Sequence, residues 1–118
     1  MDKEMRLFKM AEMKPRKHSR NNETKNITEI DVSRRANVHL SDMYFKENIV
    51  SRIEIFRFEC DDSDKSYMFV QIFMGNIEIA YQIFYSDVVI ETEYAEDVHG
   101  NKYIRSFHIR EARNYDYQ

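Results

Sequence analysis

The sequence predicts an α+β domain, an antiparallel meander of about five strands with a short N-terminal helix packed on or near the sheet. Three observations point there. The chain has 12 Ile and 7 Val against two Leu, Leu7 and Leu40; β-branched side chains lose χ1 freedom on a helix and fit a pleated surface. Two Gly-Asn dipeptides, Gly75-Asn76 and Gly100-Asn101, stand between β-rich runs, where glycine supplies the positive φ of a tight hairpin. Ahead of them, a run of good helix formers ends at the single proline, Pro15. The 118 residues fit one domain, 1–118. It divides into a basic N-terminal helix and loop (1–26), a sheet core (27–111) and a tail (112–118).

Along the chain, Met5, Phe8, Ala11 and Glu12 recur at helical spacing, which gives the helix over residues 2–14. The basic, aperiodic stretch from Lys14 to Asn22 reads as an exposed loop. Ile30, Val32, Ala36, Val38 and Leu40 alternate with polar residues around Arg34, giving one broken strand or two short ones. Ser41 or Asp42 can cap a helical turn through Glu47. A strand over about 49–60 switches apolar parity between Ile55 and Phe56, the mark of a bulge or of burial on both sides. A two-residue turn at Gly75-Asn76 pairs Met74 with Ile77, Ile72 with Ile79, Val70 with Tyr81 and Met68 with Ile83 on a core face. Tyr67, Phe69, Gln71, Phe73, Glu78, Ala80, Gln82 and Phe84 are left on the other. Gly100-Asn101 repeats the device between strands over 88–98 and 102–110, with Ile90, Thr92, Tyr94, Tyr103, Phe107 and Ile109 on the core side and Glu91, Glu93, Ala95, Asp97, Ser106, His108 and Arg110 on the wet side.

With two glycines in all, neither a dinucleotide-binding fingerprint nor a Walker loop can be built, since both need closely spaced glycines to let backbone N–H groups reach phosphate. No apolar run approaches the roughly 18–20 residues that cross a bilayer, and residues 1–10 are too charged for a signal peptide. With Cys60 as the single cysteine, the expected compartment is the cytoplasm of the producing or infected cell. The composition, rich in Ile, Asn, Lys and Tyr and poor in Ala, Gly and Pro, is that of AT-rich coding, as in small phage and virus genomes.

Charge divides unevenly. Residues 1–40 hold ten Lys or Arg against six Asp or Glu, and residues 41–118 hold eight against fifteen. Asp87, Glu91, Glu93 and Asp97 fall on one side of one strand, about 7 or 13 Å apart by strand rise. That row suits a basic, nucleic-acid-binding surface of another protein. The leading expectation is therefore a small non-catalytic protein-binding domain, of the inhibitor type that phages and viruses make. The alternative, from a different class, is a nucleic-acid binder. There Arg16, Lys17, Arg20, Lys25, Arg34 and Arg35 would neutralise phosphates while Phe69 and Phe73 stack on bases. The same aromatic face offers a homodimer contact. Glu91 and Glu93 across from His108 and Arg110 resemble an acid–base pair or a carboxylate–His metal site, but cross-strand ion pairing on an exposed sheet face accounts for them better. Asp62, Asp64 and Ser66 imitate the start of a calcium loop that then lacks its glycine and its bidentate glutamate. Neither metal nor cofactor is expected, and the acidic neighbours of Cys60 disfavour a nucleophilic thiolate.

Overall fold

The computed structural model describes residues 2–16, 26–29, 34–59 and 65–118, and of Arg16 and residues 26–29 the backbone alone. Its described strands are β1 (Lys3–Phe8), β2 (Pro15–Arg16), β3 (Asn26–Glu29), β4 (Ala36–Leu40), β5 (Met43–Asn48), β6 (Arg52–Glu59), β7 (Ser66–Met74), β8 (Ile77–Phe84), β9 (Val88–Glu96) and β10 (Lys102–Glu111). They form two sheets. The first runs in the order β1-β9-β10-β4-β5; the second runs β2-β6-β7-β8, with β3 also on β6. Phe8, Val38, Leu40, Val88, Ile90, Phe107 and Ile109 of the first sheet meet Ile53, Ile55, Met68, Val70, Ile72 and Phe84 of the second in one core. An antiparallel sheet buries one apolar face and needs a second layer to cover it.

The α+β expectation is thereby corrected: the protein is mostly β, and the described residues contain only two 3-10 turns, Met10–Glu12 and Asn114–Tyr117. The predicted N-terminal helix is strand β1, paired antiparallel with β9 from Lys3 opposite Glu93 to Phe8 opposite Val88. A helix of this length is marginal by itself. Pairing with β9 satisfies the same backbone groups and buries Phe8, whereas Met5 stays 48% exposed. The helical turn expected after Ser41 is also a strand. Ser41 adopts φ 51° in a tight turn, and β5 folds back on β4. The single meander is corrected too: Tyr85 to Asp87 carry the chain from β8 in one sheet to β9 in the other.

The two glycine corners differ from each other. Gly75 has φ 64° and Met74 pairs with Ile77, so Gly75-Asn76 is the expected two-residue turn. At the second corner Gly100 N–H donates to Asp97 O, and Asp97 N–H donates to Asn101 O. This is a three-residue loop with Gly100, φ 81°, in the left-handed bulge position.

The largest departure from the predicted register is in β8. Met74 and Phe73 face Ile77 and Glu78 as a simple hairpin requires, but Ile72 then faces Ala80, leaving Ile79 as an extra residue. Beyond this bulge every side chain of β8 changes face, because the strand period is two. Phe84, expected outside, is 4% exposed; Tyr81 and Ile83, expected inside, are 53% and 43% exposed.

Candidate functional site

The outer face of the first sheet collects the polar residues singled out by sequence. Ile90 and Thr92 turn into the core, so Glu91 and Glu93 turn out. Pairing of β9 with β10 sets His108 opposite Glu91 and Ser106 opposite Glu93. Parallel pairing of β10 with β4 sets His39 beside His108, and β5 sets Tyr44 beside His39. The two imidazoles stack at 4.7 Å and 13°, with the Tyr44 ring edge-on to His39 at 6.1 Å. They line a shallow cleft of about 330 Å³ with Lys3, Glu91 and Arg105.

The acidic row is held by the protein's own cations and amides. Arg110 Nε donates to Glu91 Oε1 at 2.7 Å, while Lys3 Nζ lies 3.5 Å from Oε2 and His108 Nδ1 lies 3.4 Å from Oε1. Burial alone would raise the Glu91 carboxyl, but the Arg110 hydrogen bond and the surrounding positive charge hold it below the usual range. Glu93 faces Arg105 at 3.5 Å. Asp97 accepts from the N–H groups of Asn101 and His99, each at 2.9 Å, and from Arg34 at 2.7 Å. These bonds, the Asn101 amide first, lower its pKa. Asp87 Oδ1 accepts from the Met10 amide at 2.7 Å and Oδ2 from the Tyr117 hydroxyl. Asp87 and Asp97 therefore close the two ends of β9.

On the same face, under the C-terminal tail, lies a buried ion pair. The guanidinium of Arg110 donates to both oxygens of Asp116 at 2.8 and 2.9 Å, and the Asp116 side chain is fully buried. The Arg110 hydrogen bonds hold the Asp116 carboxyl down at about 2, against the opposing effect of burial. The tail thus folds over the sheet as the turn at Asn114–Tyr117, locked by Asp116 and Tyr117.

His108 titrates below its ordinary value of 6.5, first because burial disfavours its charged form and then because His39, Arg110 and Arg113 add positive charge that Glu91 only partly offsets. The unfolded chain then binds more protons than the folded one below pH 6.5. Stability contributed by neutral His108 is present above that pH and is lost as the pH falls through the lowered folded value. Denaturant midpoints for wild type and His108→Gln across pH 5–8 should diverge in slope, with the variant flatter; parallel curves would contradict this.

Chemically, the cleft is an ion-pair lattice. Glu91 is the carboxylate best placed to accept a proton from His108, yet its nearer oxygen is already bound by Arg110. Among the described residues, no group of three or more His, Cys, Asp or Glu is arranged to hold a metal ion. No helix of the described residues is long and apolar enough to cross a membrane.

The outer face of the second sheet is aromatic. Phe58 stacks on Tyr67 with centroids 5.4 Å apart and meets Phe69 edge-on at 6.1 Å. Phe69 meets Tyr81 at 5.5 Å, and Tyr67 meets Tyr85 at 6.2 Å. Ile83 completes the patch, and Tyr85 is 73% exposed. The guanidinium of Arg52 covers the Phe73 ring at 4.1 Å. Of the residues proposed to bind nucleic acid, Phe69 and Phe73 do face outward here, and the backbone of Arg16 pairs beside Phe58. Arg34 and Arg35 belong to the other sheet, where Arg34 binds Asp97 and stacks on Tyr103 at 4.5 Å, and Arg35 donates to Glu47 O at 3.2 Å. Lys17, Arg20 and Lys25 lie outside the described residues, as do Cys60, Asp62 and Asp64.

Comparison with protein families, with curated proteins and with solved structures finds no match for this chain. Sequence reasoning missed His39 and Tyr44 as neighbours of His108, because a parallel pairing between strands some seventy residues apart leaves no local signal. The alternation Val38-His39-Leu40 does place His39 outward. It missed Tyr81 and Ile83 as surface residues because the Ile79 bulge has no glycine to mark it.

Proposed function

We propose that this chain is a non-catalytic protein-binding domain that presents the outer face of β6, β7 and β8 to its partner. One observation carries the reading: Phe58, Tyr67, Phe69, Tyr81, Ile83 and Tyr85 form a contiguous aromatic and aliphatic surface on a single sheet face. Large exposed apolar patches with polar borders are typical of interaction sites, and aromatic anchors supply most of the affinity where they are desolvated. Arg52 and Glu78 supply the polar border.

A protein partner fits better than nucleic acid. Phosphate contacts need available cations, and among the described side chains Arg52 beside the aromatic face is held by Gly75 O and Glu54, while Arg34 and Arg35 are engaged next to β4 of the other sheet. It also fits better on this face than on the acidic row. A partner binding Asp87, Glu91 and Asp97 would have to displace hydrogen bonds that hold the fold together, at a cost in both partners' desolvation.

The test compares proteins retained from nuclease-treated extract of the source cells by wild type, by Tyr67→Ser/Tyr85→Ser and by Glu93→Lys. The reading expects a stoichiometric partner held by wild type and Glu93→Lys and lost from the tyrosine variant. Retention by the tyrosine variant with loss from Glu93→Lys would return the acidic row, and retention by all three or by none would also overturn the reading.

A further inference from the structure

We infer that β8 is the seam of a symmetric homodimer, in which the segment from Ala80 to Phe84 pairs antiparallel with the same segment of a second copy about a two-fold axis at Gln82. Among the described residues β8 ends its sheet, with β7 as its one neighbour. Such an edge presents unpaired N–H and C=O groups, and proteins ordinarily guard it with charge, bulges or a covering segment.

Among the described residues, both edges of the first sheet are guarded. β1 carries Lys3, Glu4 and Arg6. β5 carries Lys46 and Glu47, and Glu47 bends the strand at φ 57°. The far side of β6 is covered by β2 and β3. β8 has eight residues and one charge, Glu78, which accepts a hydrogen bond from Gln71 at 2.6 Å. On this strand Ile77 is 63% exposed, Tyr81 53% and Ile83 43%. Beside it an open groove between the two sheets is lined by Met43, Phe45, Ile79 and Ala80.

A second copy is the occupant because the segment is complementary to itself. An axis at Gln82 pairs Ala80 with Phe84 of the other copy and Tyr81 with Ile83, each twice. As in any antiparallel two-fold pairing, residues of one face meet, here Ala80, Gln82 and Phe84 on one face and Tyr81 and Ile83 on the other; the complementarity lies in the pairs themselves. Tyr opposite Ile is a favourable aromatic and β-branched cross-strand pair, and small Ala80 receives bulky Phe84. The pairing stops short of the Ile79 bulge and keeps the two Glu78 carboxylates from facing each other. An isologous contact of this kind closes at two copies. It also joins two aromatic faces side by side without covering either, so dimerisation and partner capture are separate properties.

Sedimentation equilibrium of wild type, Gln82→Lys, Gln82→Glu and an equimolar mixture of the two variants tests this, with thermal melts confirming that each variant is folded. The inference expects wild type at twice the chain mass of 14.4 kDa, each variant alone at the chain mass, and the mixture restored to the dimer by Lys opposite Glu. A monomeric wild type, variants that remain dimeric, or a mixture that stays monomeric would each overturn it. Tyr67→Ser/Tyr85→Ser lies outside the Ala80–Phe84 seam, so loss of a partner by that variant leaves the dimer measurement intact.

Discussion

Phe84→Ala is expected to lower stability by about 3–5 kcal/mol, the cost of emptying a phenyl-sized volume in a packed core, while Ile83→Ala one residue away should change it by less than about 1 kcal/mol. The contrast arises from the Ile79 bulge. It drives Phe84 into contact with the layer of Val70, Met68 and Val88 and leaves Ile83 on the surface. A regular hairpin from the Gly75-Asn76 turn would reverse the ranking, with Ile83 in the core opposite Met68. Urea unfolding of the two variants decides between the registers. Equal losses, or a larger loss at Ile83, would contradict the structure.

Arg110→Ala should cost roughly 2–4 kcal/mol, because it strands Asp116 and leaves Glu91 without its closest cation, and an uncompensated carboxylate in a buried setting is penalised by several kcal/mol before relaxation. The loss should depend on acidity in a defined direction. Asp116 has its pKa lowered from 3.8 to about 2 in the folded chain, so the unfolded chain takes up more protons between these values. The stability it contributes is complete above pH 3.8 and disappears as the pH falls toward 2. Wild type and Arg110→Ala should therefore differ most near neutral pH and converge in acid. The same change should release the turn at Asn114–Tyr117, seen as faster amide exchange of Asp116, whose N–H otherwise donates to Arg113 O at 2.9 Å. A constant difference down to pH 2 would show that the lost side-chain packing of Arg110, and not its charge, sets the cost.

Much of the strand content was legible because β-branched excess and alternation are local. Ile90, Thr92, Phe107 and Ile109 do face the core, and Glu91, Glu93 and His108 do face away from it. Tyr103, expected inward, is set opposite Ala95 on the outer face by a register shift between Ile104 and Ser106, and Ile104 packs against the core in its place. What the residues could not convey is where the chain changes sheets. Nothing at Tyr85 to Asp87 distinguishes a link within one sheet from a link between two, yet that link turns a meander into a two-layer fold. The N-terminal segment failed for a related reason. Its helix formers contribute a few tenths of a kcal/mol each, and six pairs of partners on β9 outweigh them. The acidic row was legible as a row and illegible as a set of bonds, since Arg110, Arg34, Met10 and Tyr117 reach it only through tertiary contacts. The candidate aromatic face was half legible: Tyr67, Phe69 and Phe73 were placed outward, whereas Tyr81 and Ile83 joined them by a bulge that no glycine announces.

The extra residue at Ile79 underlies the aromatic face, the exposed edge and the proposed pairing about Gln82 alike. Cross-strand Hα and amide nuclear Overhauser contacts between β7 and β8 read that register directly. They should place Tyr81 opposite Gln71, Ile83 opposite Phe69 and Phe84 opposite Met68. Contacts placing Tyr81 opposite Val70 and Ile83 opposite Met68 would turn those side chains into the core and contradict the account.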